Sequence, residues 1–121
     1  MLYLGIAIAG AVGALCRWFL SVCLGRTKSG FDIGTLSVNA LGSLIFGLIV
    51  GLSPVLPSST IQVMTIGFCG GLTTFSTFCV SVVSGMEKGK FSVAWKELGF
   101  NILACILLIM AGTYFGELLC K

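Results

Sequence analysis

Four apolar runs, separated by three short polar clusters, make up this chain of 121 residues. The first extends from about Leu2 to Leu24 and the second from Ile33 to about Gly51. The third covers about Ile61 to Ser84 and the fourth about Val93 to Leu119. Each is long enough to cross a bilayer, which takes roughly 20 apolar residues. No formally charged residue lies between Asp32 and Glu87, which leaves room for two uninterrupted spans and a turn. Within the runs, small residues recur every fourth position: Gly5, Ala9 and Gly13 in the first, Ser43, Gly47 and Gly51 in the second, Gly112 and Gly116 in the fourth. Residues four apart share a helix face, and small residues on such a face let membrane helices approach closely. The pattern predicts an all-α membrane protein forming one four-span unit over residues 1–121, with spans at about 2–24, 33–51, 61–84 and 93–119.

The clusters between the runs carry turn chemistry. Arg26, Lys28, Gly30 and Asp32 follow the first run. Ser53-Pro-Val-Leu-Pro-Ser-Ser-Thr60 follows the second, where Pro54 and Pro57 stop one helix and Ser58 to Thr60 offer caps for the next. Gly85-Met-Glu-Lys-Gly-Lys90 follows the third.

Composition agrees with the pattern. The chain is 57% hydrophobic and 9% charged, with a mean hydropathy of +1.12, values outside the range of small soluble domains. The N-terminal run lacks a basic n-region and exceeds a signal-peptide core, so it is read as a retained span. The net charge of +3 is scattered over span ends and forms no basic face, which argues against nucleic acid as a partner. The six cysteines fall almost entirely within spans, without C-x-x-C spacing, histidine or neighbouring carboxylates, so they read as small hydrophobes. With no histidine and no clustered acids, no nucleophile–base pair can be assembled, and an enzyme is not expected.

Three features break the apolar pattern. Arg17 continues the Gly5, Ala9, Gly13 stripe, which points it at the packed side of its helix; snorkelling to the interface is the other reading. Asn39 sits within the second run and must satisfy two donors and an acceptor, either against another helix or in a wet cavity. The stretch Gly67-Phe-Cys-Gly-Gly-Leu-Thr-Thr-Phe-Ser-Thr-Phe78 places adjacent glycines and hydroxyls in mid-membrane. The pair Gly70-Gly71 is expected to interrupt the helical ladder, leaving two half-helices whose free carbonyls suit a cation and whose free N–H groups suit an anion. Beyond it, Thr74, Thr77 and Ser81 share one stripe, and Phe75 and Phe78 the next. Hydroxyls beside the electropositive edges of aromatic rings suit a small, desolvated anion; ordinary packing, with hydroxyls bonded back to the preceding turn, is the alternative. A monomer would expose Arg17, Asn39 and the broken third helix to lipid, so at least a dimer is expected.

Three motifs, Gly10-Ala-Val-Gly-Ala-Leu-Cys-Arg17-Trp18, Gly34-Thr-Leu-Ser-Val-Asn39-Ala-Leu-Gly42-Ser43 and the Gly67–Phe78 stretch, together resemble the Fluc (CrcB) fluoride channel family. The resemblance covers three of the four spans in order. It implies an antiparallel, dual-topology dimer in the cell membrane that exports fluoride passively from the cytoplasm through two narrow pores and supports fluoride resistance. Carried over by motif position, Asn39, Phe75 and Phe78 would line the fluoride path, Ser76 and Thr77 would be hydroxyl donors, and Arg17 would match the family's arginine at the end of the first helix. Gly70 and Thr73 would give backbone carbonyls to a structural sodium ion at the dimer interface. The family often carries a glutamate three residues past its second phenylalanine; here that position is Ser81. The fourth span matches less clearly, and Asn101 receives no role.

Topology adds a tension. Arg26, Lys28, Lys88, Lys90 and Lys96 follow spans one and three, whereas the opposite side holds only Lys121, a bias that favours a fixed orientation with both termini outside. The partner is therefore either a second copy or an oppositely oriented paralogous subunit. Two rival functions remain. A small multidrug-resistance type exporter requires an embedded carboxylate, whereas Asp32, Glu87, Glu97 and Glu117 all lie near span ends. A structural accessory subunit would explain the small-residue stripes but not the hydroxyl and aromatic constellation.

Overall fold

The computed structural model describes all 121 residues. It is all-α, with four helices long and apolar enough to span a membrane, and the chain is a multi-pass membrane protein. The helices are α1 (Leu2–Leu24), α2 (Ile33–Gly51), α3 (Ser58–Glu87, bent and interrupted) and α4 (Phe91–Leu119). Pro57 stands directly before α3 in extended conformation. Asp32 caps α2, its side chain accepting the Thr35 N–H at 2.8 Å.

Only 22 of 121 residues are buried, and most are glycines or the small polar residues Thr35, Asn39, Ser43, Thr74, Ser81 and Asn101. Large apolar side chains such as Leu15, Ile66, Leu103 and Met110 face outward. This distribution inverts that of a soluble domain, because lipid accepts the large apolar groups and close packing selects small ones. The α2–α4 pair forms the most extensive interface, α1 packs on the first half of α3, and the second half of α3 packs on α4.

Glycines make the α2–α4 contact. A Cβ on Gly116 would lie 2.6 Å from Leu48 O, and one on Gly112 would run into Leu44 O and lie 2.8 Å from Leu48 N. Backbone atoms cannot rotate away, so Gly112→Leu is expected to destabilise the subunit by more than about 3 kcal/mol, above the usual cost of overpacking a core. Loss of a monodisperse peak for the detergent-purified variant checks this.

The interruption in α3 lies elsewhere than Gly70-Gly71. Residues Val63–Cys69 wind as a π-helix and Gly70–Leu72 as an α-turn, with Gly70 at an ordinary helical φ of −63°. The chain straightens at Thr73 (φ −80°, ψ 159°) and Thr74 (φ −148°, ψ 115°), and the helix resumes over Phe75–Glu87. The glycines instead permit close approach: a Cβ on Gly71 would lie 3.1 Å from Ala14 N on α1, and one on Gly67 would lie 2.8 Å from Ile6 O. The ladder runs as far as Thr73 and fails at Thr74, whose N–H turns to the Asn39 side chain instead of Gly70 O. Thr73 N–H and Oγ1 both donate to Cys69 O at 2.9 Å. Thr74 Oγ1 caps the second half-helix by accepting the Thr77 N–H at 3.2 Å.

The loops after α1 and α3 meet on one side. Arg26 pairs with Asp32 at 3.2 Å, and Lys90 Nζ donates to Ser29 O at 3.2 Å. The termini and the α2–α3 turn lie at the opposite end, as the up-and-down order of the helices requires.

Candidate functional site

Asn39 holds the break in α3 open. Its Oδ1 accepts the Thr74 N–H at 2.8 Å, and its Nδ2 donates to Thr74 O at 3.1 Å. This two-point clamp takes the amide that would otherwise close the next ladder bond onto Gly70 O. The second Nδ2 proton goes to Asn101 Oδ1 on α4, also at 3.1 Å. Both donors and the acceptor of Asn39 are thus committed within the subunit, and the residue is 7% exposed.

Around this clamp lies a hollow of about 370 Å3 lined by Asn39, Ser43, Thr74, Phe75, Phe78 and Asn101, with Thr73 at its edge. The rings of Phe75 and Phe78 lie 5.8 Å apart between centroids and are tilted by 46°. Phe78 is buried, whereas Phe75 is 77% exposed and stands at the open side. Asn101 is the residue that sequence reasoning left without a role. Its Oδ1 accepts from Asn39 Nδ2 and, at 3.8 Å, from the Cys105 thiol, while its Nδ2 bonds to no protein group, which leaves a donor amide lining the hollow. An asparagine inside an apolar span is the same signal that singled out Asn39, and it could have been read the same way.

Ser76 and Thr77 do not line this hollow. Both are exposed, and they are tied to it through Thr74, whose Oγ1 donates to Thr77 Oγ1 at 2.9 Å and lies 3.4 Å from Ser76 Oγ. Ser81, on the same stripe, donates instead to Glu97 Oε2 at 2.8 Å. The hydroxyl residues that line the hollow with the rings are Ser43, Thr73 and Thr74.

Arg17 faces the packed side of α1. Its Nη1 donates to Thr73 O at 3.2 Å, so the guanidinium rests on the break itself. Thr73 O is also one of the two carbonyls assigned to sodium. The donor set is compatible with a cation: Gly70 O has lost its ladder donor, and a carbonyl that accepts one hydrogen bond keeps a second lone pair. Gly70 and Thr73 share a second hollow, of about 280 Å3, with Gly42, Ser43, Phe46 and Thr65.

The half-helix that begins at Phe75 presents its N-terminus next to the rings. Its first amides lack intrahelical partners and carry the positive end of the helix dipole. Two aromatic rings, an unpaired amide, hydroxyls and a helix N-terminus therefore converge where no acid or base projects. Such a set can replace the hydration of a small anion without binding it as tightly as a fixed cation would.

Comparison with known proteins adds an independent finding. The family profile described as CrcB-like protein, Camphor Resistance (CrcB), matches residues 4–113. The chain is 39% identical over 112 residues to a fluoride-specific ion channel FluC of Chromobacterium violaceum, covering 90% of this chain and 89% of that one. It is 38% identical over 115 residues to a FluC of Vibrio cholerae, covering 92% and 88%. With a FluC of Geobacter metallireducens it shares 40% identity over 118 residues, covering 92% and 90%.

Proposed function

The chain belongs to the CrcB/FluC fluoride channel family, and from that premise we propose that it conducts fluoride passively out of the cytoplasm, past Phe75, Phe78, Asn39 and Asn101. The observation that carries this reading is the convergence of the two rings, the Asn101 amide and the N-terminus of the second half of α3 in one hollow. Phe75 and Phe78 offer electropositive ring edges. Asn101 Nδ2 offers the free hydrogen-bond donor, and Asn39 acts mainly by holding the break and Asn101 in place.

The subunit works as one of an oppositely oriented pair. The hollow is open on the side where Phe75 stands, and Ser76 and Thr77 are exposed beside it, so a second subunit packed there would complete the wall and bring those hydroxyls to the path. The partner is a second copy or a paralogue, and the concentration of basic residues on one side is what gives the paralogue weight. At the interface, Gly70 O and Thr73 O with their counterparts would hold a sodium ion, which supplies a fixed positive charge that ties the two breaks together. Arg17 supports the Thr73 carbonyl from α1.

Efflux from liposomes tests this reading. The purified protein, alone and together with any paralogous subunit from its genome, is expected to release fluoride and retain chloride. Release of both ions at similar rates, or of neither, would sink the proposal.

A further inference from the structure

Glu97, on the second turn of α4, is only 5% exposed, although carboxylates are rarely taken out of water without partners. Both oxygens are held: Oε1 accepts the Asp32 N–H at 2.6 Å, and Oε2 accepts the Ser81 hydroxyl at 2.8 Å. Neither partner is a cation. The nearby Arg26 is engaged by the Asp32 carboxylate instead.

Two hollows meet at this carboxylate, and the hollow that holds the rings adjoins one of them. The one that holds the rings shares Phe78 and Asn101 with a narrow hollow of about 10 Å3 that reaches Ser81 and Glu97. That narrow hollow shares Ser81 and Glu97 with a third, lined by Arg26, Lys88 and Lys90 at the loop end of the subunit. Their shared lining residues set them in the order ring hollow, neck and basic mouth. The neck is at the lower limit for one water-sized particle, and Glu97 lies between the neck and the mouth, lining both.

We propose that Glu97 determines selectivity at this neck, by occupying the Ser81 O–H and Asp32 N–H donors that a passing anion must take. This rests on the fluoride-channel reading. An anion crosses only if it competes with a carboxylate for those two protons. Fluoride concentrates its charge on a small sphere and accepts hydrogen bonds more strongly than chloride does, so it meets that condition and chloride fails it. Lys88 and Lys90 offset the repulsion between the entering anion and Glu97, while Arg26 neutralises Asp32, the other acid that lines the neck. No proton is transferred and no bond is broken other than hydrogen bonds.

Glu97→Gln keeps the shape of the side chain and removes its charge. Hydrogen bonds to an ionised acceptor are roughly twice as strong as neutral ones, so the donors become easier to take. The expected result, in liposome flux assays, is a rise of about tenfold in the chloride-to-fluoride permeability ratio. Glu97→Asp retains the charge but withdraws the carboxylate from both donors by about one methylene, beyond hydrogen-bond reach, so its ratio should rise as well; a ratio at the wild-type level in a folded Glu97→Asp protein would overturn the inference. Ser81→Ala removes one donor and should slow fluoride while chloride stays excluded. It also carries the test should the glutamine variant fail to fold, and fluoride flux at the wild-type level in Ser81→Ala would then overturn the inference. With a selective wild type, an unchanged ratio in Glu97→Gln overturns this inference alone. A wild type that passes both ions equally overturns the fluoride reading and this inference with it.

Discussion

Asn39→Asp is expected to reduce fluoride flux by about a thousandfold. A carboxylate about 4 Å from a passing anion raises its energy by about 4 kcal/mol at an effective dielectric of 20, which corresponds to that factor in rate. The substitution also acts on the fold. Asn39 Nδ2 donates to Thr74 O and to Asn101 Oδ1, and a carboxylate oxygen in its place would face two acceptors, at a cost of about 1–3 kcal/mol for each group left unpaired. Flux could therefore vanish because the break in α3 collapses rather than because the path is charged. Asn101→Asp separates the two causes. There the new carboxylate still accepts from Asn39 Nδ2, and the clamp on Thr74 is untouched, yet the same charge enters the same hollow. Flux should fall by a similar factor in both variants while Asn101→Asp remains monodisperse in detergent. Normal flux in a folded Asn101→Asp protein would remove this hollow from the ion path.

The contrast between these two asparagines also marks what the sequence can and cannot carry. Span number, turn chemistry and the small-residue faces are local properties of hydropathy and spacing, and they could be read directly. So could the existence of an interruption in the third span. Its position could not. Gly70-Gly71 carries the signature of a break, but in a membrane glycine also serves close packing, and here that use prevails: Gly71 lies against α1 while remaining helical. The actual break depends on Asn39, which is 35 positions away from Thr74 in sequence. A bond of that span leaves no local trace. The same holds for the Asn39–Asn101 and Asp32–Glu97 contacts, separated by 62 and 65 positions. Glu97 read as an acid near a span end, which by position it is, and only folding reveals that Ser81 and the start of α2 enclose it. Motif position grouped Ser76 and Thr77 with the rings, whereas helical geometry turns them outward.

Phe75→Ile offers the cleanest separation of conduction from folding. Phe78 is 7% exposed, so truncating it would open a cavity in the cluster it forms with Val82 and Ala94, and lost flux would be ambiguous. Phe75 is 77% exposed in the subunit and contributes little to its core. Its exchange for a branched aliphatic side chain preserves bulk but removes the electropositive ring edge. Edge-to-face aromatic pairs, which use the same electropositive ring edge, are worth about 0.5–1.5 kcal/mol, and with a contact to the ion at the upper end of that scale fluoride flux should fall about tenfold. Thermal stability in detergent should stay close to that of the wild type, and Phe75→Tyr, which keeps the ring, should conduct far better than the isoleucine variant. Equal flux in Phe75→Ile and wild type would show that the exposed ring lies outside the path, leaving Phe78, the two asparagines and the Ser43 and Thr74 hydroxyls as its candidate lining.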